Sequence, residues 1–342
     1  MKKILLINNP YHVGIACIGD AYRKAFEYLG QDFYYLDLFQ FPRLHHQASN
    51  MLIEAQVMNS RYDAVIFIQP TYLHASTYHM LMSLRQHVDF YSIHTEDPYS
   101  VSGILQMSPL FKNKFTNEKT CAEKFEKQGF IYLPVAFDSF KQYKKSSNKD
   151  YDFTMICNYY EDRIPYLNNI RNYHGPKYIA GVVSYLAMKD LEIDITGFSR
   201  NPGMMQRHKE LEIYSRSKFV INPHRKPDIV GKTDFMVPQK DCQLIVKEAV
   251  SPNPRFFESI ACGAIPLSDS SRTECKNIMS RHYGKELPVP VTLPVDPSYL
   301  LVFQWCKSWF EYYGVLEEMT SSFCAKESYL ERAKVVLGVI NK

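Results

Sequence analysis

The sequence predicts an α/β protein of two doubly wound domains followed by C-terminal helices. Three observations carry that reading. Short apolar runs of strand length alternate with amphipathic segments of helical period through most of the chain. One polar, basic stretch, residues 141–150 (KQYKKSSNKD), interrupts the alternation and has the composition of a linker, with a surface loop inside one domain as the alternative. The 342 residues, 46% of them hydrophobic, are more than a single core usually holds. The expected organisation is a first domain over residues 1–145, a second over 150–295, and helices over 298–342 that pack back toward the first.

In the first series, residues 4–7 are a strand and residues 19–29 a helix with Ala21, Ala25, Phe26 and Leu29 facing inward. Residues 33–36 read as a strand and 51–58 as a helix. Residues 63–69 (DAVIFIQ) form a buried strand that stops at Pro70. A helix over 78–85, strands over 89–94 and 111–116, a helix over 119–128 and a strand over 131–134 complete the series. The second series has strands at 153–157, 193–196, 219–222 and 264–267, with helices at 163–173, 203–215 and around Phe256. Residues 299–340 are helical in pattern, with an interruption near Gly314. Such alternation implies parallel sheets, whose ligands bind beyond the carboxyl ends of the strands.

Composition removes several classes of function. A formal charge of +4, with no basic stripe interleaved with aromatics, makes a nucleic-acid partner unlikely. The eight cysteines form no C-x-x-C pair and several lie in apolar segments, as reduced thiols do. The opening Met1-Lys2-Lys3 leads straight into a strand too short for a signal peptide, and no apolar run approaches a membrane span. A cytoplasmic protein is expected. Asp150-Tyr151-Asp152 precedes a strand rather than following one, and His45-His46 and His74 with His79 lack metal-ligand spacing, so no metal is expected. No G-x-G-x-x-G or G-x-S-x-G occurs, and Gly231-Lys232-Thr233 lacks the upstream glycine of a P-loop. No cofactor is indicated.

The segment 251–269 (SPNPRFFESIACGAIPLSD) is the most informative. Pro254 suits a first helical turn, Phe256, Phe257 and Ile260 supply an apolar face, and Gly263 suits a left-handed C-terminal cap before a buried strand. A helix N-terminus offers N–H groups and positive dipole to a diphosphate, and Glu258, one turn in, offers a carboxylate to the hydroxyls of a ribose. Any helix-Gly-strand unit with a stray glutamate would look similar. Arg255 beside Glu258 and Arg163 after an earlier strand are candidate phosphate clamps. Asn222 and His224 at another strand end, Gly197 after the 193–196 strand, and Gly14 in the first strand-to-helix loop complete the candidate donor contacts, with Asn253 at the start of the Phe256 helix. Arg200 and Arg225 read better as exposed basic loop than as ligand contacts.

This stretch resembles the donor-binding signature of GT-B glycosyltransferases, in particular the CgeB-type spore-maturation family, whose pattern is close to N-P-R-x-F-E-x-x-A-C-G. His94-Thr95-Glu96-Asp97-Pro98-Tyr99 resembles that family's acidic loop, and Phe115–Glu118 with Tyr132–Asp138 resembles the strands that follow it, so the likeness spans roughly residues 60–270. The resemblance implies two Rossmann-like domains facing a cleft and transfer of a sugar from a nucleotide-sugar, a UDP-sugar above others, to a hydroxyl of a carbohydrate or glycoconjugate acceptor without a metal. Glu96, Asp97 and His94 are the catalytic candidates. Asp97 has an equal reading as the cap of the Pro98 turn. One departure matters. Many retaining GT-B enzymes carry a first glutamate separated from the position of Glu258 by seven intervening residues; Val250 stands there, and Glu248 is out of register. A fold-retaining scaffold in a spore or cell-surface layer is therefore one alternative function; a nucleotide-sugar epimerase is another, and a homodimer stays among the allowed assemblies.

Overall fold

The computed structural model describes residues 2–8, 13–38, 46–59, 61–70, 73–99, 101–141, 143, 145–159, 163–171, 173–183, 207–224, 246, 248–287, 292–293 and 309–342. The chain divides into two compact units. One comprises Met1–Phe140, Pro227–Ala249 and Ser328–Lys342; the other comprises Lys141–Lys226 and Val250–Glu327.

The first unit contains β1 (Ile4–Asn8), α1 (Val13–Tyr28), β2 (Phe33–Asp37), α2 (His46–Asn59), β3 (Ala64–Ile68), α3 (Ala75–Leu84), β4 (Asp89–His94), α4 (Val101–Met107), β5 (Asn113–Thr116), α5 (Lys119–Lys124) and β6 (Phe130–Tyr132). The second contains β7 (Tyr151–Tyr159), α6 (Ile164–Arg171), β8 (Lys177–Val183), α7 (Arg207–Ser215), β9 (Ser217–Asn222), α8 (Pro254–Ala261), β10 (Ile265–Asp269), α9 (Thr273–Tyr283), β11 (Thr292–Leu293) and α10 (Trp309–Lys326). The last helix, α11 (Tyr329–Ile340), returns to the first unit.

Among the described strands both sheets are parallel throughout. Their orders are β2-β1-β3-β4-β5-β6 and β11-β10-β9-β7-β8. Read in chain order, both follow the 2-1-3-4-5 winding, which reverses direction beside the first strand of each sheet. Strands covered on both faces are apolar throughout. Ile4 and Leu6 of β1 pack with α1 and α11, and Leu5 and Ile7 face the opposite core with Ile53 of α2 and Leu81 of α3. On α11, Tyr329, Ala333, Val336, Leu337 and Ile340 form one buried stripe at helical spacing. Each large side chain there contributes about 1.5–3 kcal/mol of burial.

Several boundaries differ from the sequence reading. Helix α1 begins at Val13, six residues before the expected start, so Gly14 and Gly19 lie in a helix rather than a ligand-facing loop. Gly19 serves packing instead. A Cβ there would stand 2.1 Å from Cγ of Asn8, so its absence lets α1 approach the end of β1. Helix α10 runs through Gly314, and the break falls at Glu327–Ser328, where Ser328 Oγ accepts from the Glu331 N–H at 3.3 Å as the N-cap of α11. Strand β8 and helices α4 and α9 were not apparent from periodicity. Gly181 interrupts the first, and charged residues are scattered through α9. The expected 193–196 strand, residues 203–206 and residues 299–308 lie outside the described residues.

The polar stretch 141–150 is anchored rather than free. The Lys149 ammonium donates to the Ser215 carbonyl at 2.7 Å and the Gly263 carbonyl at 2.6 Å, closing the C-terminal ends of α7 and α8. Burial lowers the Lys149 pKa to about 8. Asp150 pairs with Arg216.

Candidate functional site

In the second sheet the winding reverses between β7 and β9, so the carboxyl ends of these two strands border the position where such sheets hold ligands. Arg163 follows β7, and Asn222 ends β9 with Pro223 and His224 next in sequence. Asp269 ends the neighbouring strand β10, and Arg272 stands at the start of α9. These side chains form one group. Asp269 Oδ2 accepts the His224 backbone N–H at 2.5 Å and lies 3.1 Å from His224 Nδ1. Burial works against the Asp269 charge, yet the hydrogen bonds from His224 and the charge of Arg272 outweigh it and hold the carboxyl below its usual range.

A carboxylate that is ionised can only accept, so His224 Nδ1 carries the proton and Nε2 presents a bare lone pair. Only 7% of His224 is exposed, and Nε2 is buried with no hydrogen-bond partner among the described residues. Burial, assisted by Arg272 and Arg163 and opposed by Asp269, lowers the imidazole pKa to about 4. At neutral pH the His224–Asp269 contact is therefore a hydrogen bond to a neutral ring. Arg272 is itself buried and donates to the Ser251 carbonyl at 3.1 Å.

Helix α8 has Pro254 and Gly263 where they were expected, and Asn253, expected as a donor contact, serves as its N-cap. Pro254 is in its first turn, Asn253 Oδ1 accepts the Phe256 N–H at 3.2 Å, and Gly263 follows with φ +77°. Three of the expected donor contacts are occupied in holding this helix on β9. Asn222 and Asn253 exchange reciprocal amide bonds at 3.1 and 2.9 Å, and Arg255 Nη1 donates to Asn222 Oδ1 at 3.0 Å. Arg255 is directed at the α7 side. Burial opposes its charge, and Tyr214, Cys157 and Glu210 outweigh that effect and raise its pKa. Glu258 is buried within α8, and its backbone carbonyl accepts from Cys262 at 2.9 Å. Gly197, together with Arg200, Arg225 and the 231–233 tripeptide, lies outside the described residues.

In the first unit, the His94–Asp97 loop stands at the carboxyl end of β4. Asp97 is buried, accepts the Thr116 hydroxyl at 2.6 Å, and donates its backbone N–H to Asn117 Oδ1 at 3.0 Å. The Asp97–Pro98 bond is cis. Glu96 is half-buried. His94 points the other way, into the interior, where Nε2 contacts Ser92 Oγ at 2.8 Å and its ring stacks on Phe130. Burial, then the charge of Lys114, lowers its pKa to about 3, so it is neutral and weakly basic. The structure thus separates Asp97 and Glu96 at the strand edge from His94 in the core.

Asp152 is bonded to Lys218 at 2.7 Å and to the Tyr173 hydroxyl at 2.6 Å, and Asp150 to Arg216, so the D-x-D is an ion-pair cluster. Among the described residues no group of three or more His, Cys, Asp or Glu side chains is placed to hold a metal, and no helix is long and apolar enough to cross a membrane. Asp269 and Arg272 were not singled out from the sequence. The available signal was their position, since Asp269 ends a strand and Arg272 opens the next helix on the same edge as His224.

No family model matches the chain, and no curated protein matches it. Solved structures do. A Staphylococcus aureus MnaA–UDP co-structure aligns with TM-score 0.54 at 13% identity, covering 99% of this chain and 96% of the other. A UDP-GlcNAc 2-epimerase from Neisseria meningitidis bound to UDP-GlcNAc aligns with TM-score 0.50 at 10% identity over 99% of each chain. The N-terminal domain of a Candida albicans trehalose-6-phosphate phosphatase aligns with TM-score 0.56 at 8% identity, covering 99% and 96%. At these identities the likeness is one of fold. The chain has a GT-B-type fold of two Rossmann-like α/β domains with C-terminal helices.

Proposed function

We propose that the chain is a nucleotide-sugar enzyme that moves a sugar from a UDP-sugar to an acceptor hydroxyl without a metal. The observation that carries this reading is the group at the reversal point of the second sheet, where Arg163, Arg272 and the buried Nε2 of His224 gather at the carboxyl edge. Two structures of the same fold are described with UDP or UDP-GlcNAc bound, and the N-P-R-x-F-E segment resembles the CgeB-type donor signature. In this reading the diphosphate lies against the arginines and the positive end of a helix, which stabilise the negative charge on the leaving group in place of a metal ion. Glu258 takes the ribose hydroxyls. Asn222, Asn253 and Arg255 act indirectly by fixing α8 on β9. In the first unit Glu96 is assigned to the acceptor hydroxyl because its side chain is only half-buried, and Asp97 holds the shape of its loop. His94 has no role in the reaction.

Calorimetry with UDP and the full chain tests the assignment. Glu258→Gln turns two charge-assisted hydroxyl bonds into neutral ones, a loss of about 1–1.5 kcal/mol each, so UDP affinity falls roughly a hundredfold. Unchanged affinity in that variant sinks the reading. Absence of donor turnover across a panel of nucleotide-sugars would leave the scaffold alternative. A second reading, epimerisation of the sugar on the nucleotide, is favoured by the names of the UDP-bound neighbours and by Val250 at the first-glutamate position. Product analysis without any acceptor separates the two: a transferase returns the donor or its hydrolysis products, and an epimerase returns a new nucleotide-sugar.

A further inference from the structure

His224 and Asp269 carry a consequence that deepens the proposed function and rests on it. The buried Nε2 lone pair sits where an anion would be expected, and a lone pair facing a phosphate oxygen is repulsive unless it gains a proton. Among the described residues, the charged groups that face the imidazole are Asp269 at the end of β10, Arg272 at the start of α9 and Arg163 ahead of α6. Cys275 of α9 lies beside Asp269 and Arg272, and burial, the main cause, raises its pKa to about 12, so it stays a thiol. Without an anion, two guanidinium groups and burial disfavour a third cation, and the single carboxylate of Asp269 does not offset them. A diphosphate reverses that balance. Two negative charges about 4 Å away are worth several kcal/mol at the effective dielectric of such sites. The ring then becomes an imidazolium, donating through Nδ1 to Asp269 and through Nε2 to the ligand.

We propose that Asp269 is the positioning residue of His224, and that binding of a nucleotide diphosphate to this chain takes up one proton from solvent at His224 Nε2.

The experiment is calorimetry of UDP and of inorganic pyrophosphate with the full chain, in buffers of different ionisation enthalpy. For UDP the range is pH 7 to 8.5, above the phosphate pKa of about 6, so that the nucleotide's own charge stays constant. About one proton is taken up per UDP at pH 7, and the dissociation constant weakens by up to tenfold per pH unit as the pH rises. His224→Asn flattens that slope and abolishes the uptake. Asp269→Asn removes the counter-charge of the imidazolium, reducing the uptake below half a proton and weakening UDP binding at pH 7 roughly tenfold. A purely structural Asp269 would lower the melting temperature and leave the proton count unchanged. Should either variant fail to fold, nitrogen-15 NMR of the wild-type histidines gives the same answer: one protonated ring nitrogen on His224 without ligand, two with UDP. UDP binding with no proton uptake and no second protonated nitrogen overturns the inference and leaves the nucleotide reading standing. Pyrophosphate binding with uptake while UDP fails to bind sinks the nucleotide reading and supports the proton-coupled anion site. Binding of neither probe overturns both.

Discussion

The carboxyl edges of the two sheets share a winding and differ in how their polar groups end. On the first, the side chains of the loop beyond β4 satisfy one another, while His94 Nδ1, which has no hydrogen-bond partner among the described residues, is turned into the interior rather than toward the edge. Gln69, at φ +52°, accepts from the backbone and hydroxyl of Thr95 at 2.9 and 3.2 Å. Thr116 donates to Asp97, Asn117 bonds the backbone of Asp97 on both sides, and Glu118 caps α5. On the second, Asp269 fixes one side of His224, and none of the described residues bonds the other. Buried polar groups without partners cost about 1–3 kcal/mol, so they persist where another constraint keeps them. A closed edge holds a loop in shape, whereas an edge left with an unsatisfied lone pair is prepared for something it does not contain. Substitutions on the first should therefore cost stability, and substitutions on the second should cost binding.

The largest contrast is expected from His224→Gln. UDP affinity falls roughly a hundredfold, about 2.7 kcal/mol. The unfolding free energy changes by less than about 1 kcal/mol, because the wild-type residue already carries an unmet lone pair. A loss of stability larger than the loss of binding, read from urea titration beside calorimetry, would break the comparison. Thr116→Val is the converse. It keeps the shape and deletes the hydroxyl that donates to buried Asp97 at 2.6 Å, so stability falls by about 1–3 kcal/mol while UDP affinity is unchanged.

Much of this division was legible in the sequence, and the reasons for the remainder are physical. Alternating apolar runs located both sheets because strands covered on two faces must be apolar. Pro254 and Gly263 of α8 were readable because each answers a local backbone requirement, whereas Asn253, expected as a ligand contact, is the N-cap. The early start of α1 was hidden, since Gly14 and Gly19 carry low helix propensity; only the distance from Gly19 to Asn8 shows why glycine stands there. At the site, strand ends located His94, Asp97 and His224, but residue type gave no facing direction. His94 as the last residue of β4 looks like an edge group and is turned into the core. Asn222 and Arg255 look like ligand contacts and bond each other. Asp269 was overlooked because a lone aspartate gains meaning only from the histidine on the neighbouring strand.

The smallest expected effect concerns two of the buried histidines, His94 of the first unit and His224 of the second. Both have folded pKa values below the ordinary 6.5, about 3 for His94 and about 4 for His224. Above pH 6.5 each is neutral in the folded and unfolded chain and adds no pH dependence. As pH falls below 6.5 the unfolded chain binds the proton first, so stability declines until the folded pKa is reached. For a single such histidine the loss at pH 6 is about 0.8 kcal/mol, growing by up to about 1.4 kcal/mol for each further pH unit. His94→Gln removes one of these contributions, so the slope of unfolding free energy against pH between 4.5 and 6 should fall by about one proton in urea titrations. An unchanged slope would mean that His94 is protonated in the folded chain, which places its ring at the solvent edge and restores it as a candidate for the acceptor site. A reduced slope leaves Glu96 and Asp97 as the acidic groups of that edge.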